Sequence, residues 1–586
     1  MSAPAKLQRL QVAARLHELS AYLRLFSEAP YRARAYEAAA RALEALGPRY
    51  DNLLAAGRLT EVPGVGDKIA AVIRELATSG TIPALDRYNA ELPYALVALA
   101  ELPGITLPRL RRLRDTLGID AADTLEAAAR AGRLRTVPGF GPRTEEKILA
   151  SLSRRKTAPT ELLLSTARDV AAQIAVHLRE IPGVTAVQVS GEVRRWVEVV
   201  TEVSLLAAAN DPVVALSALM KTPLVGQTLP DVNLDVDVDK APAPSMRRLR
   251  FALLQGGTAV VEIVTPPAFA AALVRTTGSH AHVADLQARA AAKAASLDTL
   301  PGDSEAAIYA ALDLPEIPPE LRDEPADVVL AREGRDFSDL ITMSDIQGFV
   351  HCHTTASDGR YDLASMAAGA ATRGMHYLTV TDHSPTASYA GGLTIERLLE
   401  QGAEIDRFNE GGGAGVDVLR GTESDIRADG TLDYPLDVLE TLDVVIASIH
   451  NRFSMNEDQM TERLVTAMRQ PVFKIWGHGL GQLLLHRPPV ACRVQEVLQA
   501  AATLGRTAVE INGDPHRMDL PAHWLRPARA LGLPFVVSVD AHSLRNYDNL
   551  IYGVHLARRA GIRRDEVLNT HDSAGFRAAV HPRRTV

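Results

Sequence analysis

The chain has 586 residues, of which 47% are hydrophobic and 23% charged, with 34 prolines and 40 glycines. This ordinary globular composition excludes collagen, coiled coil or disorder as a description of the whole, and roughly 100–200 residues per domain predicts three or four domains. The net charge of −8 is unevenly spread: residues 1–160 hold 24 basic against 17 acidic side chains, the remainder 39 against 54, and 13 of the 17 histidines lie after residue 346. One end therefore suits anions and the other metal ions. No apolar run reaches the roughly 20 residues that span a bilayer. The first ten residues lack a signal-peptide core, and two cysteines, Cys352 and Cys492, make no disulfide framework. A cytoplasmic protein without a membrane partner is expected.

Residues 1–160 read as helices, with apolar positions at helical spacing through Leu7, Leu10, Val12, Leu16, Leu19 and Leu23. Val62-Pro63-Gly64-Val65-Gly66-Asp67-Lys68 recurs as Val137-Pro138-Gly139-Phe140-Gly141-Pro142-Arg143, with a weaker copy at Leu102-Pro103-Gly104-Ile105-Thr106. These segments resemble helix-hairpin-helix motifs. Their glycines allow positive φ and close approach, and the N–H groups opening the next helix can hold a phosphate. Gly64, Gly66, Lys68, Gly139, Gly141 and Arg143 are the DNA-binding candidates, contacting backbone without reading sequence. Thr106, where a second glycine belongs, weakens the third copy.

From residue 165 the order of segments resembles the bacterial family X DNA polymerases that carry a C-terminal PHP domain. Gly191-Glu192-Val193-Arg194-Arg195-Trp196-Val197-Glu198 is similar to the Gly-Ser-x-Arg-Arg stretch of their palm, and Thr277-Gly278-Ser279 is retained farther on. The resemblance implies a nucleotidyltransferase-like palm and thumb, in which three aspartates hold two divalent ions. The corresponding positions here are Glu202, Ser204 and Glu262, a degenerate set, since serine is a poorer ligand for a hard cation than a carboxylate. Glu192 replaces the serine of the phosphate turn. A weak polymerase using Glu202, Glu262 and Asp235, Asp237 or Asp239 is the alternative; those three aspartates alternate along one face of an expected strand. Lyase chemistry is not expected, because Val72 stands where related members place a Schiff-base lysine.

Residues 301–345 contain Leu314-Pro315-Glu316-Ile317-Pro318-Pro319, which reads as a tether. Beyond it, strand-like runs near 348–353, 377–382, 416–422, 444–449, 473–477, 507–511 and 535–539 alternate with helical segments, as βα units require. Their C-terminal ends carry His351 and His353, His383, Glu423, His450, His478, Asn512, and Asp540 with His542. Functional groups gather at that end of βα barrels. The motifs follow the order and spacing of PHP domains, which implies a distorted (β/α)7 barrel over 346–586. It also implies up to three divalent ions held by His351, His353, Asp358, His383, Glu423, His450, His478, Asp540 and His542. By the same resemblance His351, His353, Glu423 and Asp540 hold one ion, Glu423 bridges to a second with His450 and His478, and Asp358, His383 and His542 hold the third. A His-rich set suits Zn²⁺, Mn²⁺ or Fe²⁺ better than Mg²⁺, with Mn²⁺ or Zn²⁺ the expected ions. His351, His353, Glu423 and Asp540 are the catalytic candidates, Arg360 and Arg452 candidate phosphate contacts, and Cys352 a packing residue.

The expected organisation is a helical domain over 1–90, a second over 91–160, palm and thumb over 161–325, a linker over 326–345 and the PHP domain over 346–586. The function implied is DNA repair: a monomer that binds gapped, nicked or 3′-ended DNA, hydrolyses phosphodiesters as a 3′–5′ exonuclease, and has weak or lost polymerase activity. The alternatives are a small-molecule phosphatase resembling histidinol phosphatases, and a DNA-binding scaffold with structural metals.

Overall fold

A computed structural model describes residues 9–26, 30–44, 46, 49–62, 64–101, 105–157, 161–220, 246–253 and 257–582. Asp235, Asp237 and Asp239, with the strand expected around them, lie outside these residues, as do Pro63 and the start of the weak hairpin copy at 102–104. Contacts divide the chain into two compact units, Met1–Val187 with Thr201–Ile263, and Gln188–Val200 with Val264–Val586. No helix among the described residues is long and apolar enough to cross a membrane.

The first unit opens with helices whose turns follow the hairpin pattern. Gly64 at φ 82° and Gly139 at φ 99° take the left-handed conformation that the turns need. Val62, Val65, Val137 and Phe140 are buried, so each turn is anchored in the helical core. That anchoring leaves Lys68 and Arg143, at the starts of helices Asp67–Ser79 and Pro142–Thr157, exposed. No atom outside the local chain lies within 4 Å of a side-chain carbon built on Gly66 or Gly141. Glu145, almost wholly buried, ties the second hairpin by accepting bonds from the backbone N–H groups of Leu134 and Arg135 and from the Arg135 side chain. The weak copy has another use. Its helix, Leu107–Leu117, leans arginines on the second hairpin: Arg112 donates to the Pro138 carbonyl at 3.0 Å, and the Arg109 guanidinium lies 5.5 Å from the Phe140 ring centre.

A four-stranded sheet follows, in the order Val184–Ser190, Glu202–Ala209, Thr258–Val264, Met246–Ala252. In the second unit, the short helix Gly191–Arg194 carries the Arg-Arg-Trp segment, and both arginines reach the thumb region. Arg194 binds Glu305 through both guanidinium nitrogens and Thr277 at 2.8 Å; Arg195 binds Asp323 at 2.5 Å and the Thr277 carbonyl at 2.7 Å.

All seven strands expected after residue 346 are present, as Gly348–Cys352, Tyr377–Val380, Asp417–Asp425, Val444–Ser448, Ile475–Trp476, Ala508–Asn512 and Phe535–Ser538. They are parallel and adjacent in chain order, with helices between most of them. Covered on both faces, they are buried along their whole length apart from two half-buried positions in the third, as strands of wound α/β folds are. The first strand also meets the segment after the last: Ala541 N–H donates to the His351 carbonyl at 2.9 Å, and His353 N–H to the Ala541 carbonyl at 2.8 Å. The barrel is thus nearly closed. Phe576 and Val580 of the helix Ser573–Val580 join the apolar core at the strand beginnings, with Phe576 stacked on Tyr377 at 5.2 Å. The strand ends remain for polar groups.

The stretch expected to be a tether is instead packed. Residues Pro325–Arg332 form a helix, and the segment is ion-paired to the barrel through Glu320 with His555 and Arg558, and Asp327 with Arg526. Ile317, Leu321 and Leu340 are buried in the same core as thumb residues Val274 and Leu286. Its prolines shape a docked chain, not a free one, because Leu314, Ile317 and Leu321 give it an apolar face to bury.

Candidate metal centre and the degenerate palm

The strand ends gather the expected side chains into one cluster. Four overlapping groups form within reach of single ions: His353, Asp358, His383 and His542; His351, Glu423 and His478; His351, His353 and Asp540; and His383, Glu423 and His450. Glu423 lies at the middle. Its oxygens are 2.8 Å from His478 Nε2, 3.1 Å from His450 Nε2, 2.9 Å from His383 Nδ1, 3.4 Å from His351 Nε2 and 3.7 Å from His353 Nε2. Asp540 is 3.7 Å from His351 and 3.5 Å from His353; Asp358 is 3.5 Å from His383 and 3.3 Å from His542. Two donors each about 2.0–2.1 Å from one ion stand about 3.0–3.4 Å apart, so these separations suit shared ions. The grouping differs from the expected one in detail: His353 also reaches Asp358, and His383 also reaches Glu423.

The donors fit a metal on a second ground. His351 Nε2, both His353 nitrogens, His383 Nδ1, His450 Nε2 and both Glu423 oxygens are buried and make no hydrogen bond. Buried polar atoms are otherwise nearly always satisfied. The cluster's charges also keep Glu423 ionised: burial opposes this, but His450, His351 and His383 outweigh it and hold the carboxyl well below its usual range.

Backbone geometry aims these side chains. Alternation alone puts His351 and His353 on one face; the strand achieves it with a register shift between Phe349 and Cys352 and with His351 at φ 68°. Asp540 at φ 44° is also left-handed, a conformation costing of order 1–3 kcal/mol for such residues, which persists only where the surroundings enforce it. Cys352 points away from the cluster: it is fully buried, and burial pushes its thiol far up, as a packing residue requires.

Behind the cluster stands a set of residues that strand-end reading missed. Glu510 accepts a bond from His351 Nδ1 at 2.5 Å and another from the His478 N–H. Asp425 faces His450 Nδ1 at 3.2 Å, and the Asp540 carbonyl accepts from His542 Nδ1 at 3.0 Å. Each fixes a ring so that Nε2 faces the cluster. Arg517 is 3.1 Å from Asp540. The signal for Glu510 was its parity: two residues before Asn512, it points to the same face. Arg360 and Arg452 are exposed near the ligands. Replacing Glu510 with glutamine is expected to weaken metal binding roughly 10–100-fold, as loss of such supporting carboxylates does; competition with a fluorescent chelator measures it, and an unchanged affinity would remove Glu510 from this role.

The palm positions contrast with this. Glu202, Ser204 and Glu262 come together on neighbouring strands, with Ser204 Oγ 3.4 Å from Glu202. Two arginines from Met246–Ala252 meet them: Arg250 is 3.2 Å from Glu202, and Arg248 is 3.9 Å from both Glu202 and Glu262. The two carboxylates thus face two arginines where the family's palm faces metal ions. These residues do not fit a two-metal site.

A barrel with imidazoles and carboxylates massed at its strand ends, joined in one chain to helical hairpins and a thumb-like segment, defines a metal-dependent hydrolase on a polymerase-type chain. Family models agree: a helix-hairpin-helix domain matches residues 8–82, a SAM-like helix-hairpin-helix tandem 96–154, a DNA polymerase beta thumb 272–323 and a PHP domain 350–520. The chain is 30% identical over 94% of its length to the DNA polymerase/3′-5′ exonuclease PolX of Bacillus subtilis (strain 168), covering 96% of that protein. Probable phosphatases of Thermoanaerobacter sp. (strain X514), 29% identical, and Vibrio parahaemolyticus, 26% identical, match 38% of this chain and 89% and 88% of their own lengths. The chain belongs to the bacterial family X DNA polymerases with a C-terminal PHP domain.

Proposed function

We propose that the protein acts in DNA repair as a metal-dependent 3′–5′ exonuclease, with polymerase activity weak or lost. The observation that carries this reading is the contrast between two sites. The strand-end cluster has buried, unpartnered donors from His351, His353, His383, Glu423 and His450, whereas the palm pairs Glu202 and Glu262 with arginines. His351, His353, Asp358, His383, Glu423, His450, His478, Asp540 and His542 would hold up to three ions, Mn²⁺ or Zn²⁺. When bound, such ions acidify a water and neutralise phosphate charge. The protein's side chains orient the donors, and the exposed Arg360 and Arg452 would hold phosphate oxygens. The open hairpin glycines with Lys68 and Arg143 would grip the backbone of gapped, nicked or 3′-ended DNA, with domain divisions at about 90 and 160.

The test uses 3′-labelled DNA with Mn²⁺. Degradation by the wild type that disappears in the His351→Ala/His353→Ala double variant is expected; degradation that survives it would overturn the proposal. Primer extension lost on Glu202→Ala would overturn the reading of the palm. The probable phosphatases support a second reading, a small-molecule phosphatase. A higher kcat/KM on a phosphomonoester than on DNA would favour it.

A further inference from the structure

Among the described residues Tyr389 is the most exposed of the large hydrophobic side chains, at 73%, yet it stands beside the buried cluster: its ring centre is 6.5 Å from that of His383. Exposed aromatics scattered on a surface need no explanation. The loop beneath this one is tied down at several points. The loop that carries it leaves the His383 strand end and returns at Leu393, whose N–H donates to the His383 carbonyl at 2.7 Å. Thr386 binds Asp433 through its N–H at 2.6 Å and its hydroxyl at 2.5 Å. Arg397 holds the Gly391 and Ala356 carbonyls, tying the loop to the one bearing Asp358. Gly391 takes φ 72°, and a side-chain carbon on Gly392 would lie 2.0 Å from the Ser384 oxygen, so the turn cannot loosen into another packing without cost. Ala387 and Ala390, at 0% and 4% exposure, face inward on either side of the tyrosine. The turn therefore spends its apolar contacts on two alanines and presents the large ring outward.

The surroundings define what the ring meets. Two arginines border the cluster: Arg517 is 3.1 Å from Asp540, and Arg487 lies over the Phe453 ring at 3.9 Å with its Nε on the carbonyl of Gly481, in the turn that follows His478. A flat apolar face, fixed cations and a centre for phosphate chemistry side by side match a nucleotide: the base for the ring, the phosphates for the cations and the cluster.

We infer that Tyr389 is a positioning residue that stacks on a nucleobase at the 3′ end of the strand delivered to the cluster, and so selects nucleic acid over small phosphate esters. This rests on the barrel being a nuclease. The test compares two 3′-ended oligonucleotides with the full chain and Mn²⁺, one normal and one with its last two nucleotides abasic. Tyr389→Ala is expected to raise KM roughly ten-fold on the normal strand, the scale of one base–aromatic stack, with kcat and the abasic strand little changed. Tyr389→Phe, which keeps the ring, should match the wild type on both. Equal loss on the two strands, or no change on either while the wild type degrades both, would overturn the inference alone. A wild type inactive on both would remove the nuclease reading first. Metal content of the variants, measured by mass spectrometry, shows that the cluster is intact.

Discussion

Replacing Glu423 with glutamine is expected to reduce Mn²⁺-dependent degradation of 3′-labelled DNA by at least roughly a thousand-fold, with a parallel fall in bound metal. The substitution keeps the shape of the side chain and removes its charge. Both Glu423 oxygens are buried without hydrogen bonds, and five imidazoles face them at 2.8 to 3.7 Å. A neutral amide offers one oxygen, and it turns an NH₂ group toward histidines that must present lone pairs to a cation. Every ion placed among His351, His383, His450 and His478 would lose its shared anionic ligand, and uncompensated positive charge in a buried site is expensive. The measurement is a degradation assay with metal analysis of the same sample, with circular dichroism to establish that the fold is kept. Activity within ten-fold of the wild type, with full metal content, would mean that Glu423 is not the hub of the centre.

Much of this was legible in the sequence because barrels translate order into space. Once strands and helices alternate, the residue at each strand end is carried to one rim, so His351, His383, Glu423, His450, His478 and Asp540 could be gathered without coordinates. Residues one layer down were not legible in this way. Glu510 lies inside its strand, where a buried carboxylate looks anomalous until its partner His351, 159 positions away, is known. Arg517 lies in a loop, whose path no periodicity specifies. The prolines of 314–319 were misleading for a related reason: proline sets φ and removes a donor, but says nothing about whether Glu320 will find His555. In the palm, spacing identified Glu202, Ser204 and Glu262, while Arg248 and Arg250 became visible only through the pairing of neighbouring strands.

Arg559→Met is expected to destabilise the protein by about 3–5 kcal/mol, the scale for removing one partner from a buried ion pair. Arg559 is nearly buried and joins two carboxylates: it binds Glu198 of the Arg-Arg-Trp segment, and Asp323 at 2.7 Å. Burial alone opposes its charge, but Glu198 and Asp323 hold its pKa above the ordinary value. Asp323 would keep Arg195 at 2.5 Å, whereas Glu198 would be left with a weak 3.4 Å contact from the Ala522 N–H. The cost should therefore come mainly from Glu198, and the Arg559→Met/Glu198→Gln double variant should recover part of it. Chemical unfolding of the single and double variants measures this as a coupling energy. A single variant within about 0.5 kcal/mol of the wild type would place the pair with weak surface salt bridges. The outcome also bears on why the segment keeps its family appearance. Arg194 and Arg195 bind the thumb, Trp196 stacks on His555 at 3.7 Å, and Glu198 binds Arg559. Each retained side chain has a partner in the same unit as the barrel, so docking alone can hold these residues in place.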